Sequence, residues 1–329
     1  MISTELTRLL GIRVPVVQGG MQWVGLPQLA GAVSEAGGLG ILTALTQPSP
    51  DALRQAIRDT RKITSKPFAV NLTFLPTISP PPYMDYAKVV VEEGVKIAET
   101  AGGPDAKPII QYYKQNNVFV IHKCTSIRHA LSAQKLGVDM LSVDGFECAG
   151  HPGEDDIGGL VLLARAAQEL KVPFLASGGF ANGQGLAGAL ALGACGINAG
   201  SLFMATDEAP IHDNIKKIIV DSTERDTIHI FRTFNNTARV YKNKIAKEVV
   251  AIERRPGGAK FEDVRELVSG QRGKTVYTTG DSDAGIWSAG TAVGLITKVQ
   301  SCKSLLDEIE RDAEAIINRM SSMTQRSKL

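Results

Sequence analysis

With 329 residues the chain can hold one large barrel carrying an insertion, or two ordinary domains, and either buries a core. Lys and Arg number 36 against 34 Asp and Glu, a net charge of +2 with no isolated basic run, so nucleic acid is not an indicated partner. The four cysteines (Cys124, Cys148, Cys195, Cys302) form no CxxC pair or zinc spacing, and the chain has neither a signal-like N-terminus nor a membrane-length apolar run; no metal, secretion or membrane insertion is expected.

From the N-terminus, short apolar or β-branched runs alternate with amphipathic segments. Strands are expected over 15–18, 40–43, 68–72, 95–99, 118–122, 140–143, 173–176 and 196–198, eight in all. Helices are expected between them over 27–36, 51–63, 83–93, 109–116, 127–136, 157–170 and 185–192, from apolar residues spaced by three and four and from glycines at their ends. Apolar strands each followed by a helix imply parallel strands covered on both sides, and eight such units by residue 200 favour a closed barrel over an open sheet. The expected class is therefore α/β, a (β/α)8 TIM barrel formed by 1–206 and 282–329. A smaller helical domain is inserted after the eighth strand over 207–281, with amphipathic stretches at 214–219, 244–252 and 261–268 and a Pro256-Gly257-Gly258 break. Closing helices are expected over 286–296 and 305–320.

In such a barrel the chemistry sits where strands end and loops begin. The seventh and eighth strands lead into Ser177-Gly178-Gly179 and Gly200-Ser201, turns where backbone N–H groups can approach a phosphate; the same glycines could instead only permit tight βα turns. Gly183-Gln184-Gly185-Leu186-Ala187-Gly188 fits GxGxxG, but it follows an extra loop in the seventh unit and no acid is placed for a ribose, so a dinucleotide fold is not read there. His151, bracketed by Gly150 and Pro152 after the sixth strand, is the best acid–base candidate, against a histidine that merely bonds the turn. His122, His129, His212 and His229 are weaker, by their places in a strand end, a helix and the insertion. Lys123 would place an ammonium in the barrel mouth, where either an anion shares the site or Asp144 forms a salt bridge. Cys148 lies near His151, but no acyl-transfer constellation surrounds it.

Several motifs then point to a family. Gln18-Gly19-Gly20-Met21-Gln22-Trp23-Val24-Gly25, Val70-Asn71-Leu72-Thr73, His122-Lys123-Cys124-Thr125, the run Asp144 to Asp156, Ala176-Ser177-Gly178-Gly179-Phe180 and Gly285-Ile286-Trp287-Ser288-Ala289-Gly290 resemble the nitronate monooxygenase family, formerly the 2-nitropropane dioxygenases. Among its members the sequence looks most like the FMN-dependent NADH:quinone reductases. The resemblance implies FMN contacts from Gly20, Met21, Gln22, Asn71, Lys123, Asp144, Gly150, Ser177, Gly178, Gly179, Gly200 and Ser201, with His151 as the catalytic residue.

The reaction so implied is NADH or NADPH reducing FMN, which passes two electrons to a quinone; the alternative is oxidation of an alkyl nitronate or propionate-3-nitronate with oxygen. A non-redox phosphate-binding barrel enzyme is the remote third reading. The stretch Pro76-Thr77-Ile78-Ser79-Pro80-Pro81-Pro82-Tyr83 resembles the loop with which the reductases clamp NADH, though a proline-rich connector reads the same way. The final Ser327-Lys328-Leu329 matches the tripeptide read by the peroxisomal import receptor, so the expected location is the peroxisomal matrix, otherwise the cytoplasm. A homodimer is left open.

Overall fold

The computed structural model describes residues 1–74, 80–103 and 105–323. Pro76 to Ser79 of the expected clamping loop and the Ser327-Lys328-Leu329 tail lie outside the described residues.

Eight parallel strands form one sheet: β1 (Val16–Gln18), β2 (Gly40–Thr43), β3 (Phe68–Phe74), β4 (Ile97–Gly102), β5 (Phe119–Cys124), β6 (Met140–Asp144), β7 (Phe174–Ser177) and β8 (Ile197–Ala199). Neighbours in sequence pair from β2 through β8, β8 returns to β1 with Val16 opposite Ile197, and a parallel bridge from Val17 to Leu39 brings β1 against the start of β2. Every residue of β2 and β6 is buried, as strands covered on both sides must be.

The outer layer is α1 (Glu5–Leu10), α2 (Pro27–Glu35), α3 (Pro50–Ile63), α4 (Tyr83–Glu92), α5 (Ala106–Gln115), α6 (Ile127–Lys135), α7 (Gly159–Glu169) and α8 (Gly183–Ala191). α3 shows the local logic: the Ser49 hydroxyl accepts from Ala52 N, Pro50 starts the helix, and Leu53, Ala56, Ile57 and Thr60 bury the stripe that faces the sheet. α1 was not expected, because its six residues are too few to show a helical period. Thr4 and a left-handed Gly11 cap it, and its Leu6 and Leu10 join Val17, Ile41, Ile97, Ile121 and Leu175 in the cluster that fills the barrel's lower lumen. The floor is therefore solid, and the open end lies where the strands finish.

After β8 come α9 (Ser201–Met204), α10 (Asp213–Val220), β9 (Thr227–Ile230), β10 (Ala238–Tyr241), α11 (Lys244–Glu253), α12 (Gly270–Thr279) and α13 (Cys302–Ser322). The helices expected over 214–219 and 244–252 are present, but the segment is not helical throughout: β9 and β10 pair as an antiparallel hairpin, with Arg239 opposite His229. Thr227-Ile228-His229-Ile230 and Ala238-Arg239-Val240-Tyr241 carry the alternation of a strand, and Phe231 and Asn235 take left-handed φ values of 65° and 51° to turn the chain between them. Residues 261–268 form only a short 3-10 turn, Phe261–Asp263. The helix begins instead at Gly270, its N-terminus capped by the Ser269 hydroxyl. The closing helix expected over 286–296 is likewise replaced: Ser288 bridges Val240 as an extended segment, and a 3-10 turn follows at Thr291–Leu295. Ile230, Phe231, Val240, Val249 and Val264 form a core of their own, apart from the barrel's.

Candidate active site

One cavity of about 330 Å³ opens at the C-terminal ends of the strands. Ten of the residues singled out from sequence line it: Gly20, Met21, Gln22, Lys123, Gly150, Ser177, Gly178, Gly179, Gly200 and Ser201. Asn71, Asp144 and His151 are not part of the lining; the first two stand behind it and the third is on the rim. The lining also includes residues that motif reading had not assigned, among them Trp23, Glu147, Asn198, Val240, Tyr277 and Trp287. Their signal in the sequence was weak, because only the fold brings the 207–290 region over the barrel mouth.

The turn after β7 has the build of an anion cradle. Gly178 and Gly179 both adopt left-handed φ values, +84° and +88°, and among the described residues neither backbone N–H has a hydrogen-bond partner. A Cβ on Gly178 would stand 2.9 Å from both Cys148 N and Gly145 O, so no side chain fits there. Gly200 faces the same space from β8, and a Cβ on it would meet only the Met21 side chain, Sδ at 3.5 Å and Cγ at 3.8 Å. Ser201 is held by its hydroxyl, which accepts from Gly290 N at 3.0 Å. Glu147, at the edge of this cradle, is turned away: both its oxygens accept from Gly159 N, at 2.9 and 3.1 Å, so the carboxylate caps α7. These groups suit a phosphate at one end of the cavity.

The floor is polar and closely linked. Lys123, from β5, places its ammonium 3.4 Å from the Asp144 carboxylate. Burial opposes that charge, but the Asp144 and Glu99 carboxylates outweigh it and hold the lysine above its usual pKa. Of the two alternatives for Lys123 the salt bridge to Asp144 is present, and the lysine also lines the cavity. Asn71 donates to Glu99 Oε2 at 2.7 Å and accepts from Thr73 Oγ1 at 3.1 Å, so its amide is spent within the floor. His122 is buried against Thr100 Oγ1 at 2.8 Å, and loss of solvation lowers its pKa to about 4. The Cys148 thiol is pushed up by burial and then by Asp144, which removes it as a thiolate nucleophile.

The wall opposite the floor is apolar: Met21, Val240, Val268, Tyr277, Ile286 and Trp287 face the space. Trp23, at the mouth, has a left-handed φ of 66°, a conformation held by hydrogen bonds from its N to Thr46 Oγ1 and from its Nε1 to Gly270 O. β10 organises this side. Arg239 N donates to Gly150 O at 2.6 Å and Gly150 N returns a bond to Arg239 O at 3.0 Å, while Tyr241 N donates to Trp287 O and the two rings stack at 4.4 Å. The Arg239 guanidinium lies 5.1 Å over the Phe146 ring and donates to Phe146 O at 2.8 Å. Glu154 accepts from Thr237 N and Oγ1, and Asp156 pairs with Arg232 at 3.1 Å. The loop carrying His151 is thus anchored to the inserted hairpin. Solvent reaches the His151 ring on the rim, yet the crowding around it lowers its pKa below the ordinary value, with Glu154 pulling the other way. The neutral imidazole is free to accept a proton.

Comparison with known proteins covers nearly the whole chain. The family model for nitronate monooxygenase matches residues 3–312. A nitronate monooxygenase of Paraburkholderia phytofirmans is 27% identical over 96% of each chain. An octahydroindene-carboxyl-CoA dehydrogenase of Mycobacterium tuberculosis is 28% identical over 98% of this chain and 99% of that one. Among solved structures, FabK from Thermotoga maritima superposes with a TM-score of 0.90 at 31% identity, covering 98% of this chain and all of that one. Nitroalkane oxidase from Streptomyces ansochromogenes gives 0.80 at 25%, with 96% and 99% covered.

Proposed function

The chain belongs to the nitronate monooxygenase family, and from that premise we propose that this oxidoreductase binds FMN and passes two electrons from NADH or NADPH to a quinone. The observation carrying the proposal is the pairing of a cradle whose Gly178 and Gly179 N–H groups have no partner among the described residues with a cavity whose far wall is apolar. The first suits the cofactor's phosphate and the second a flat, apolar acceptor.

Gly178, Gly179, Gly200 and Ser201 would hold the phosphate, with Gly20, Met21, Gln22 and Gly150 lining the ring's place. FMN would supply the electron-carrying ring, which no side chain here can replace. Lys123 sets a fixed positive charge at that ring's side of the floor, held in place by Asp144. The segment 207–281, with its own apolar core, acts as a lid that keeps water from the cavity. His151 takes or returns a proton at an imidazole nitrogen, and its anchorage to β10 couples that step to the lid.

Oxidation of a nitronate is the second reading, supported by the names of several relatives and by a neutral imidazole at the rim. Anaerobic mixing of the purified FMN-loaded protein with NADH, NADPH or an alkyl nitronate separates the two. Rapid bleaching of the flavin by a nicotinamide, with colour restored by quinone, is expected. No bleaching at millimolar NADH or NADPH, together with steady oxygen consumption on nitronate in a separate aerobic assay, overturns the first reading in favour of the second.

A further inference from the structure

Glu99 has no exposed surface, and it stands at the hub of the cavity floor. Its Oε2 accepts from Gly20 N at 3.1 Å and from Asn71 Nδ2 at 2.7 Å, and its Oε1 accepts from Asn198 Nδ2 at 2.9 Å. The donors come from the loop after β1, from β3 and from β8, so one side chain of β4 ties together strand ends on opposite sides of the barrel. Asn198 also donates to Ser142 Oγ at 3.1 Å, and Ser142 donates to Asp144 Oδ1 at 3.3 Å, which extends the chain to the partner of Lys123. Gly20 has no room for a side chain, since a Cβ would stand 2.3 Å from Asn71 Cγ; its loop is seated directly on this network.

Two acidic side chains, Glu99 and Asp144, share the floor with the ammonium of Lys123, a formal excess of one negative charge beneath the cavity. A surplus charge is costly in a buried floor, and a barrel needing only a polar contact there could use an amide. All three groups bonded to Glu99 are donors, which is the arrangement an ionised carboxylate satisfies and a glutamine does not, because its NH2 would face another donor.

We propose that Glu99 is a positioning residue of the active site, fixing the Gly20 loop and supplying the negative charge that tempers Lys123 and holds down the reduction potential of the cofactor. This rests on the reading that a flavin occupies the cavity. Electrons carried by a ring held in this cavity would be favoured by the Lys123 cation and disfavoured by the Glu99 carboxylate behind it.

The test uses the full chain, FMN affinity by fluorescence quenching, and the flavin midpoint potential by equilibration with a reference dye. Glu99→Gln removes the charge while keeping the size; FMN binding is expected to weaken about tenfold and the potential to move positive. Glu99→Asp keeps the charge while shortening the reach; binding is expected to weaken while the potential stays at the wild-type value. Wild-type affinity and potential in Glu99→Gln overturn the proposal, as does an equal potential shift in both variants. Should Glu99→Gln fail to fold, unchanged FMN affinity in Glu99→Asp overturns it alone. Wild-type protein that takes up no FMN refutes the flavin reading itself, and the wild-type control identifies that outcome before either variant is compared.

Discussion

The cradle glycines offer a paired perturbation in which one added methyl has opposite consequences. At Gly178 the left-handed φ of +84° costs an L-residue about 1–2 kcal/mol, and overlap with Cys148 N and Gly145 O, both 2.9 Å from the new Cβ, adds about 1–3 kcal/mol because both neighbours are backbone. Gly178→Ala is therefore expected to lower the stability of the apo-protein by about 2–5 kcal/mol, and its loss of FMN would report folding as much as binding. Gly200 is different: its φ of −108° suits any residue, and a Cβ makes an ordinary 3.5 Å contact with Met21 Sδ. Gly200→Ala is expected to fold within about 1 kcal/mol of wild type; on the proposed FMN reading it weakens FMN by about 1–2 kcal/mol, roughly five- to thirtyfold, since the methyl occupies the wall assigned to the phosphate. Urea denaturation of the apo-proteins and FMN fluorescence titration measure the two effects. Wild-type FMN affinity in Gly200→Ala, or wild-type stability in Gly178→Ala, would refute this account of the cradle.

Two further outcomes follow from groups around it. Arg239→Ala removes bonds to Phe146 O and Thr227 Oγ1 and the stacking on Phe146, a loss of about 2–4 kcal/mol concentrated where the hairpin meets the His151 loop. Hydrogen exchange should accelerate in β9, β10 and residues 145–156 while the lower barrel stays protected, and unchanged exchange there would show that β10 does not anchor the loop. His122 supplies a pH dependence: its folded pKa of about 4 lies below the unfolded 6.5, so the unfolded chain binds the proton more readily and stability falls as pH drops through 6.5 toward 4. Between pH 6.5 and 4.5 this contributes a loss of about 2 kcal/mol, which His122→Gln should abolish in urea titrations at the two pH values. An equal loss in the variant would assign the acid sensitivity to other groups.

Much of the barrel is legible in the sequence itself. Each strand is a short apolar run and each helix a stripe of period 3.6, so the segments from β2 to β8 announce themselves within about ten residues apiece. The glycine turns after β7 and β8 were equally legible, because the need for left-handed backbone or close approach is written into the residue type. The hairpin β9–β10 was legible too, through Thr227-Ile228-His229-Ile230 and its partner, but amphipathic stretches on either side drew the reading toward helix. Its bonds to Gly150 and Trp287 had no such local trace.

What the sequence determined alone is therefore the order of the elements and the residue types at their ends, since both depend on patterns a few positions long. The tertiary structure decided which of those residues reach the cavity. It set Asn71 and Asp144 within the floor behind the lining and His151 on the rim, and it joined Glu99 to Asn198 across 99 positions of chain. Closing the sheet into a cylinder makes distant strand ends neighbours, and hydrogen bonds across that ring leave no periodic mark in the residues that form them.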